Sequence, residues 1–485
     1  MNDRPLPSRR ALLLGAGALA LAPACSRDGT GGTGPSRPDV SPTLTEEATI
    51  FDLSLEETHR FRPFALVAPG FETSLAPDGA LSDHGPEAPF AAVTARIGSD
   101  RASLGLATPD GDHVSVRWSP ETRRVSLEVR SGGRSRLLRR RTTDLAPGQG
   151  LAFALCEQQV TALVDRGEGW TPVLTERDKV SGLLDLREED VLSRFRYRCA
   201  GDLAAPVAGL FGMTGLRDPH LVQHADGTPY ERDGRVFLTW TCAGLGFFQQ
   251  AHWSVWSMDR ARPEEMRLES QIFFRRDGLV LGDHAGHLVR DGDRWLVAVS
   301  SWGDFAPGAV HVRHTESSAD LLSGTHVLDA EPTPLPTDVG SWDPALLRRD
   351  GTWHVAFVES PSQDPFDFHP ALAETDAELP WDGLRMIGAA DDLHQCEGPI
   401  LAEVDGQWWF LASDGDARHY PVFDLDMRRV GRLDAPYPTN IPHPQLLRLD
   451  DARWLMVSFD GTQFAEKTMG YGGHGDVLIM ATRDE

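Results

Sequence analysis

The chain has 485 residues, enough for two hydrophobic cores, and carries a formal net charge of −25. That acidity speaks against a nucleic-acid partner, whose phosphates need clustered basic residues; only Lys179 and Lys467 are lysines. No internal apolar run reaches the length of a membrane span.

Residues 1–25 read as a targeting segment. Ser8-Arg9-Arg10 precedes an apolar run from Ala11 to Ala24 and then Cys25. The paired arginines resemble a twin-arginine export signal, and Leu21-Ala22-Pro23-Ala24-Cys25 resembles a bacterial lipobox, with Cys25 the lipidated residue. The alternative is an ordinary signal peptide. Either reading places the mature protein outside the cytoplasm: anchored as a lipoprotein at the outer face of the cytoplasmic membrane, or secreted. Residues 26–45, rich in Gly, Ser, Thr and Pro, read as a flexible linker.

Residues 46–200 alternate apolar and polar positions with period two, as in FAAVTARIG and RRVSLEVRSGG, and Asp110-Gly111 and Gly132-Gly133 mark hairpins. This predicts an antiparallel β-sandwich whose look is similar to concanavalin-like jelly rolls. It could bind carbohydrate or serve as a packing domain, and the lack of an aromatic platform favours packing. A short amphipathic helix is expected over Leu184–Arg194. Cys156, Cys199, Cys242 and Cys396 match no zinc spacing and are expected as buried free thiols.

From residue 201 to 485 one pattern is written five times: a polar anchor, a short apolar strand, a turn, and a returning strand that usually carries Trp. The copies are GLRDPHLV from Gly215, GDHAGHLVRDGDRWLVAVSS from Gly282, SWDPALLRRDGTWHVAFVES from Ser341, CEGPILAEVDGQWWFLAS from Cys396 and IPHPQLLRLDDARWLMVSF from Ile441. Asp343, His284 and His443 stand seven residues ahead of the turn aspartates Asp350, Asp291 and Asp450; Glu397 stands eight ahead of Asp405. A repeat of about 50 residues with several strands per unit marks a β-propeller. The expected fold is therefore all-β: the sandwich followed by a five-bladed propeller.

In a propeller the innermost strands line one axis, so Asp218, Asp283, His284, Asp343, Glu397 and His443 should converge. The loops after the return strands share that face and offer groups that hold sugars. They supply Trp302, Gln363, Asp364, Asp414, Asp416 and Gln463; Trp342 precedes an anchor, and Phe247-Phe248-Gln249-Gln250 comes from the first blade. Carboxylates, amides and flat aromatics in one opening suit a poly- or oligosaccharide. Glycoside hydrolysis needs two carboxyl groups flanking the scissile bond, one a proton donor and one ionised. Asp218, Asp343 and Glu397 provide them.

Arg217-Asp218-Pro219, Trp342-Asp343-Pro344 and Glu397-Gly398-Pro399 resemble the pattern of glycoside hydrolase family 43, in the superfamily it forms with families 62, 32 and 68. The resemblance covers about Gly215 to Asp484. It implies that Asp218 is the general base, Asp343 tunes and orients the acid, and Glu397 is the general acid. It also implies a calcium ion near the axis, held through His443. Asp283-His284-Ala285-Gly286-His287, the long first excursion and a sandwich placed before the propeller depart from that pattern. Fructan-cleaving propeller enzymes carry their glutamate a blade earlier, so the order disfavours them. The resemblance implies inverting hydrolysis of a furanoside or pentose-containing glycan (arabinan, arabinoxylan or galactofuranan), with the Asp218 and Glu397 carboxyls roughly 6.5–9.5 Å apart. Two other readings are open: a glycan-binding propeller lipoprotein without catalysis, and a propeller that docks another protein.

Overall fold

The period-two segments of the N-terminal half join into one sheet of 11 strands. Two long strands, Phe90–Ala107 and Arg196–Met213, pair antiparallel along most of their length. The first half of Phe90–Ala107 also pairs with Gly150–Cys156 and its second half with His113–Ser119, so the sheet turns over on itself. Its edge strands, Arg134–Thr142 and Trp170–Glu176, meet through Arg139 Nε donating to Glu176 Oε2 at 2.6 Å. Leu104, Val116, Leu127, Phe153 and Val164 fill the space enclosed. Asp110-Gly111 and Gly132-Gly133 form the expected hairpins. This computed structural model describes residues 48–450, 452–462 and 475–483, so Cys25, the signal segment and the linker lie outside the described residues.

The C-terminal half is built of antiparallel strand groups. The first runs Leu216–Leu221, Arg235–Cys242, His252–Asp259 and Met266–Arg276. The second contains His284–Asp291, Arg294–Ser300 and Val312–Ser317; the third is Gly340–Arg349, Thr352–Gln363, Phe366–Thr375 and Arg385–Ala389. A fourth group, Cys396–Val404 to Arg429–Asp434, and a fifth, Gln445–Arg448, Trp454–Asp460 and Asp476–Thr482, belong to one 8-stranded sheet.

Each group packs on the next through its apolar face. Trp253 of the first shares a buried cluster with Trp295 of the second, Leu296 of the second shares one with Trp353 of the third, and Leu347 of the third shares one with Phe410 of the fourth. Leu411 of the fourth and Met456 of the fifth lie in one cluster, and Trp240 of the first and Val457 of the fifth in another. The sequence of contacts closes on itself, and burying each such side chain contributes about 1.5–3 kcal/mol.

Two expectations are corrected. The helix over Leu184–Arg194 is a single turn, Glu189–Leu192, beside a second turn at Asp178–Ser181. Four residues are too few to propagate helical hydrogen bonding, and the apolar residues pin the segment to the core as loop. The strand Thr49–Phe61, read as the start of the N-terminal sandwich, instead joins the fourth and fifth groups. It pairs in parallel with Arg429–Asp434 and antiparallel with Asp476–Thr482. Phe51, Leu53 and Leu55 are buried there. All four described cysteines beyond residue 48 are buried and free, as expected.

Candidate active site

Four first strands of the C-terminal groups carry one extra residue against their partner strand. The register shifts between Arg217 and His220, His284 and Gly286, Trp342 and Ala345, and Glu397 and Ile400. At each shift one residue adopts left-handed backbone: Asp218 at φ 50°, Ala285 at 53°, Asp343 at 49° and Gly398 at 65°. Such a bulge re-aims the strand and leaves no ladder bond for the following residue, so Pro219, Pro344 and Pro399 fit there. Aspartate tolerates left-handed backbone better than most residues. The structural equivalents are thus Asp218, Ala285, Asp343 and Gly398. His284 and Glu397 stand one position earlier, which accounts for the extra residue before Asp405 and corrects the equivalence of His284 with Asp343.

Two hydroxyls and one carboxylate of neighbouring groups catch three of the bulged amides. Ala285 N–H donates to Thr241 Oγ1 (3.2 Å), Asp343 N–H to Ser300 Oγ (2.9 Å), and Gly398 N–H to the Asp343 carboxylate (Oδ2, 3.1 Å). These bonds bring Asp218, Asp343 and Glu397 around one imidazole. His443 Nε2 lies 3.5 Å from Asp343 Oδ2 and 3.9 Å from both Asp218 Oδ1 and Glu397 Oε1. The Asp218 and Glu397 oxygens are therefore no more than twice 3.9 Å apart. Trp342 Nε1–H donates to Glu397 Oε2 at 3.1 Å and fixes that carboxylate's plane. A narrow cavity of about 10 Å³, room for a single water, lies beside this cluster, lined by Asp218, Asp343, His443, His220 and Gln445.

The carboxyls differ in affinity for protons. Burial opposes ionisation of Asp218, but the Arg217 guanidinium and then the His443 and His284 imidazoles outweigh it and hold the carboxyl below its ordinary value. Burial drives Asp343 the other way, up to about 8, and the Glu397 and Asp218 charges add to the rise against the opposing pull of His443. Burial would lower His443, yet Asp343, Glu397 and Asp218 together raise it to about 9. The sequence reading gave the held proton to Glu397. The raised value falls on Asp343 because that carboxyl is the more deeply buried, its side chain 8% exposed against 20% for Glu397.

Asp343, Glu397 and His443 place one ligand atom each within 4.8 Å of one another. Calcium takes six to eight oxygen ligands. Two carboxylates and one imidazole would supply part of such a shell.

The remaining sequence candidates divide. His284 faces Asp218, and burial lowers its value; Nε2–H donates to Phe248 O at 3.1 Å. Trp302 and Trp342 lie 5.3 Å apart, centroid to centroid, in an aromatic cluster with Phe248, Phe305 and Phe366. Asp283 is turned away from the cavity: Arg276 Nε donates to it at 2.6 Å and Gly303 N–H at 2.8 Å, bolting the 302–304 turn in place. Gln363 accepts from Gly308 N–H at 2.5 Å, and Asp414 caps its own turn by accepting from Asp416 N–H and Ala417 N–H. Asp283, Gln363 and Asp414 therefore hold loops. Asp364 and Asp416 are exposed loop residues, and Gln463 lies outside the described residues. Sequence reasoning passed over Arg217, whose adjacency to Asp218 was the available signal. It also passed over the stacked pair His220 and His287 (3.7 Å between centroids), which gave none.

No protein-family profile matches this sequence, and no curated protein matches it. Solved structures similar to the chain are glycoside hydrolases at low identity. Zg3597, a family 117 glycoside hydrolase of the marine bacterium Zobellia galactanivorans, is 9% identical over 55% of this chain and 84% of its own, with a TM-score of 0.39. An α-L-arabinanase from Penicillium chrysogenum complexed with arabinobiose is 11% identical over 84% of this chain and 98% of its own, at 0.35. CoXyl43, a β-xylosidase/α-arabinofuranosidase from a compost metagenome, is 14% identical over 55% and 90%, at 0.37.

Proposed function

We propose that the chain is an inverting glycoside hydrolase acting on furanoside or pentose-containing glycans of the arabinan, arabinoxylan or galactofuranan type. In this reading residues 46–200 are chiefly the sandwich and residues 201–485 a five-bladed propeller. One observation carries the proposal: three carboxyl groups meet around His443, with Asp218 held ionised and Asp343 holding its proton beside a narrow cavity. Asp218, held ionised, takes a proton from water as the oxygen attacks the anomeric carbon. Bonding to the leaving oxygen breaks as Glu397, the more exposed of its pair, donates a proton to it. Asp343 and His443 keep a proton within reach of Glu397, and Trp342 aims it.

The test uses nitrophenyl furanosides and cell-wall arabinans. Glu397→Gln and Asp218→Asn should each lower kcat by about 10²–10⁴-fold with little change in KM. The first-formed sugar, read by proton NMR, should have the inverted anomeric configuration. Binding by wild type and both variants without turnover in any of them would instead make the protein a glycan receptor. Export as a lipoprotein belongs to the same proposal: Cys25→Ser should move the protein from the membrane to the soluble extracytoplasmic fraction.

A further inference from the structure

The segment whose Phe248 carbonyl accepts from His284, beside Asp218, is held from the N-terminal half. Phe248–Gln250 forms a short 3₁₀ turn in which Phe247 N–H donates to Gln250 Oε1 at 2.7 Å. Gln250 is buried, and its Nε2 donates to Glu157 Oε2 at 3.0 Å. Glu157 sits on left-handed backbone (φ 57°) at the tip of the hairpin between Gly150–Cys156 and Gln159–Asp165. The carboxylate has no exposed surface and is anchored behind by Arg187 Nη1 at 3.1 Å and Arg177 Nε at 3.4 Å. Gln159 of the same hairpin donates to Leu245 O. Gly244 and Gly246 let the chain wrap this closely: a Cβ at Gly244 would meet Gln250 O at 1.6 Å and one at Gly246 would meet Gln250 Oε1 at 2.4 Å.

On its other side the segment carries rings toward the carboxylates. Phe247 lies tilted against Phe248 at 4.1 Å, Phe248 meets Trp302 at 4.7 Å, and Trp302 meets Trp342, the residue that donates to Glu397. Phe247 keeps 46% of its surface exposed, and Phe305 extends the same wall. Trp302 and Trp342 are buried, and the surface of this ring cluster is the exposed Phe247 with the half-buried Phe248, Phe305 and Phe366, an apolar face on which a flat apolar group gains by contact. Resting on the hydrolase reading, we infer that this wall binds an aromatic or apolar leaving group, and that Glu157 and Gln250 are positioning residues through which the N-terminal sheet sets that preference.

The experiment compares dissociation constants of 4-nitrophenyl and methyl α-L-arabinofuranoside for the Glu397→Gln protein, by tryptophan fluorescence. Because it is a ratio, the preference is independent of the fraction folded. The aryl glycoside should bind at least tenfold more tightly. Gln250→Leu, added to that background, should bring the ratio to within about twofold of one while methyl glycoside affinity is kept. Glu157→Gln, which still offers an acceptor to Gln250, should keep most of the preference. Equal affinity of the two glycosides for the Glu397→Gln protein, or a ratio untouched by Gln250→Leu, overturns the inference and leaves the hydrolase reading standing. Failure of both glycosides to bind overturns both.

Discussion

Asp218 and Asp343 are the same residue type on the same left-handed bulge, yet their surroundings drive the two carboxyls apart. Arg217 helps keep one ionised, and burial beside Glu397 keeps the other protonated. For activity the signs follow directly. In the proposed reaction the base, Asp218, is lost as pH falls through a value below the ordinary 3.8 of an aspartate, and the Asp343 proton is lost as pH rises through about 8. A bell-shaped kcat/KM profile with its basic limb near pH 8 is expected, and Asp343→Asn should remove that limb while lowering the maximum. Stability carries the same linkage. A carboxyl whose folded value is raised contributes stability that is full below the unfolded value of 3.8 and lost as pH rises through about 8. Unfolding midpoints of wild type should therefore fall relative to Asp343→Asn between about pH 4 and pH 8, and thermal melts across that range check it. These two aspartates were legible in the sequence because each stands at a repeated place, and Glu397 because it stands one residue before that place in its own copy. The roles of Asp283, Gln363 and Asp414 were not, because polar loop residues look alike whether they face a ligand or cap a turn.

At the scale of the strand, the bulge does the positioning. Without the extra residue, Asp218 and Asp343 would follow the strand's strict alternation; the bulge re-aims each of them. Gly398 shows how tight this is: its φ is 65°, and a Cβ there would meet the His443 ring at 2.4 Å. Gly398→Ala should cost about 1–3 kcal/mol through strain and overpacking and should depress activity by displacing His443. Urea denaturation with parallel kinetics measures both, and unchanged kinetics would show that His443 does not depend on this contact. The repeat itself was readable from anchors and turns. The bulge was not, since a one-residue insertion leaves no mark except the odd count before Asp405.

Across the whole molecule, the strand Thr49–Phe61 links the fourth and fifth groups into one sheet, and Arg60 and Arg62 pair with Asp460 and Asp476 of the fifth. Removing residues 1–62 should cost about 5 kcal/mol or more from the lost burial of Phe51, Leu53 and Leu55 alone. That is comparable to the total stability of many domains. Loss of a cooperative melt is expected, whereas a chain beginning at residue 47 should melt as wild type; scanning calorimetry decides. The strand lies far in sequence from its partners, and its alternating pattern fits a strand of either half. Nothing local could assign it.

What the amino-acid sequence settled by itself was periodic: strand everywhere, a unit written five times, and polar anchors recurring ahead of each turn. Periodicity reports which face of an element is buried, and that much is local. Which carboxyl keeps its proton, which loop residue is a cap, and where the first strand pairs were decided only by tertiary structure. Each depends on charges, burial and backbone partners contributed from hundreds of residues away, as His443 beside Asp218 and Glu157 beneath Gln250 both illustrate.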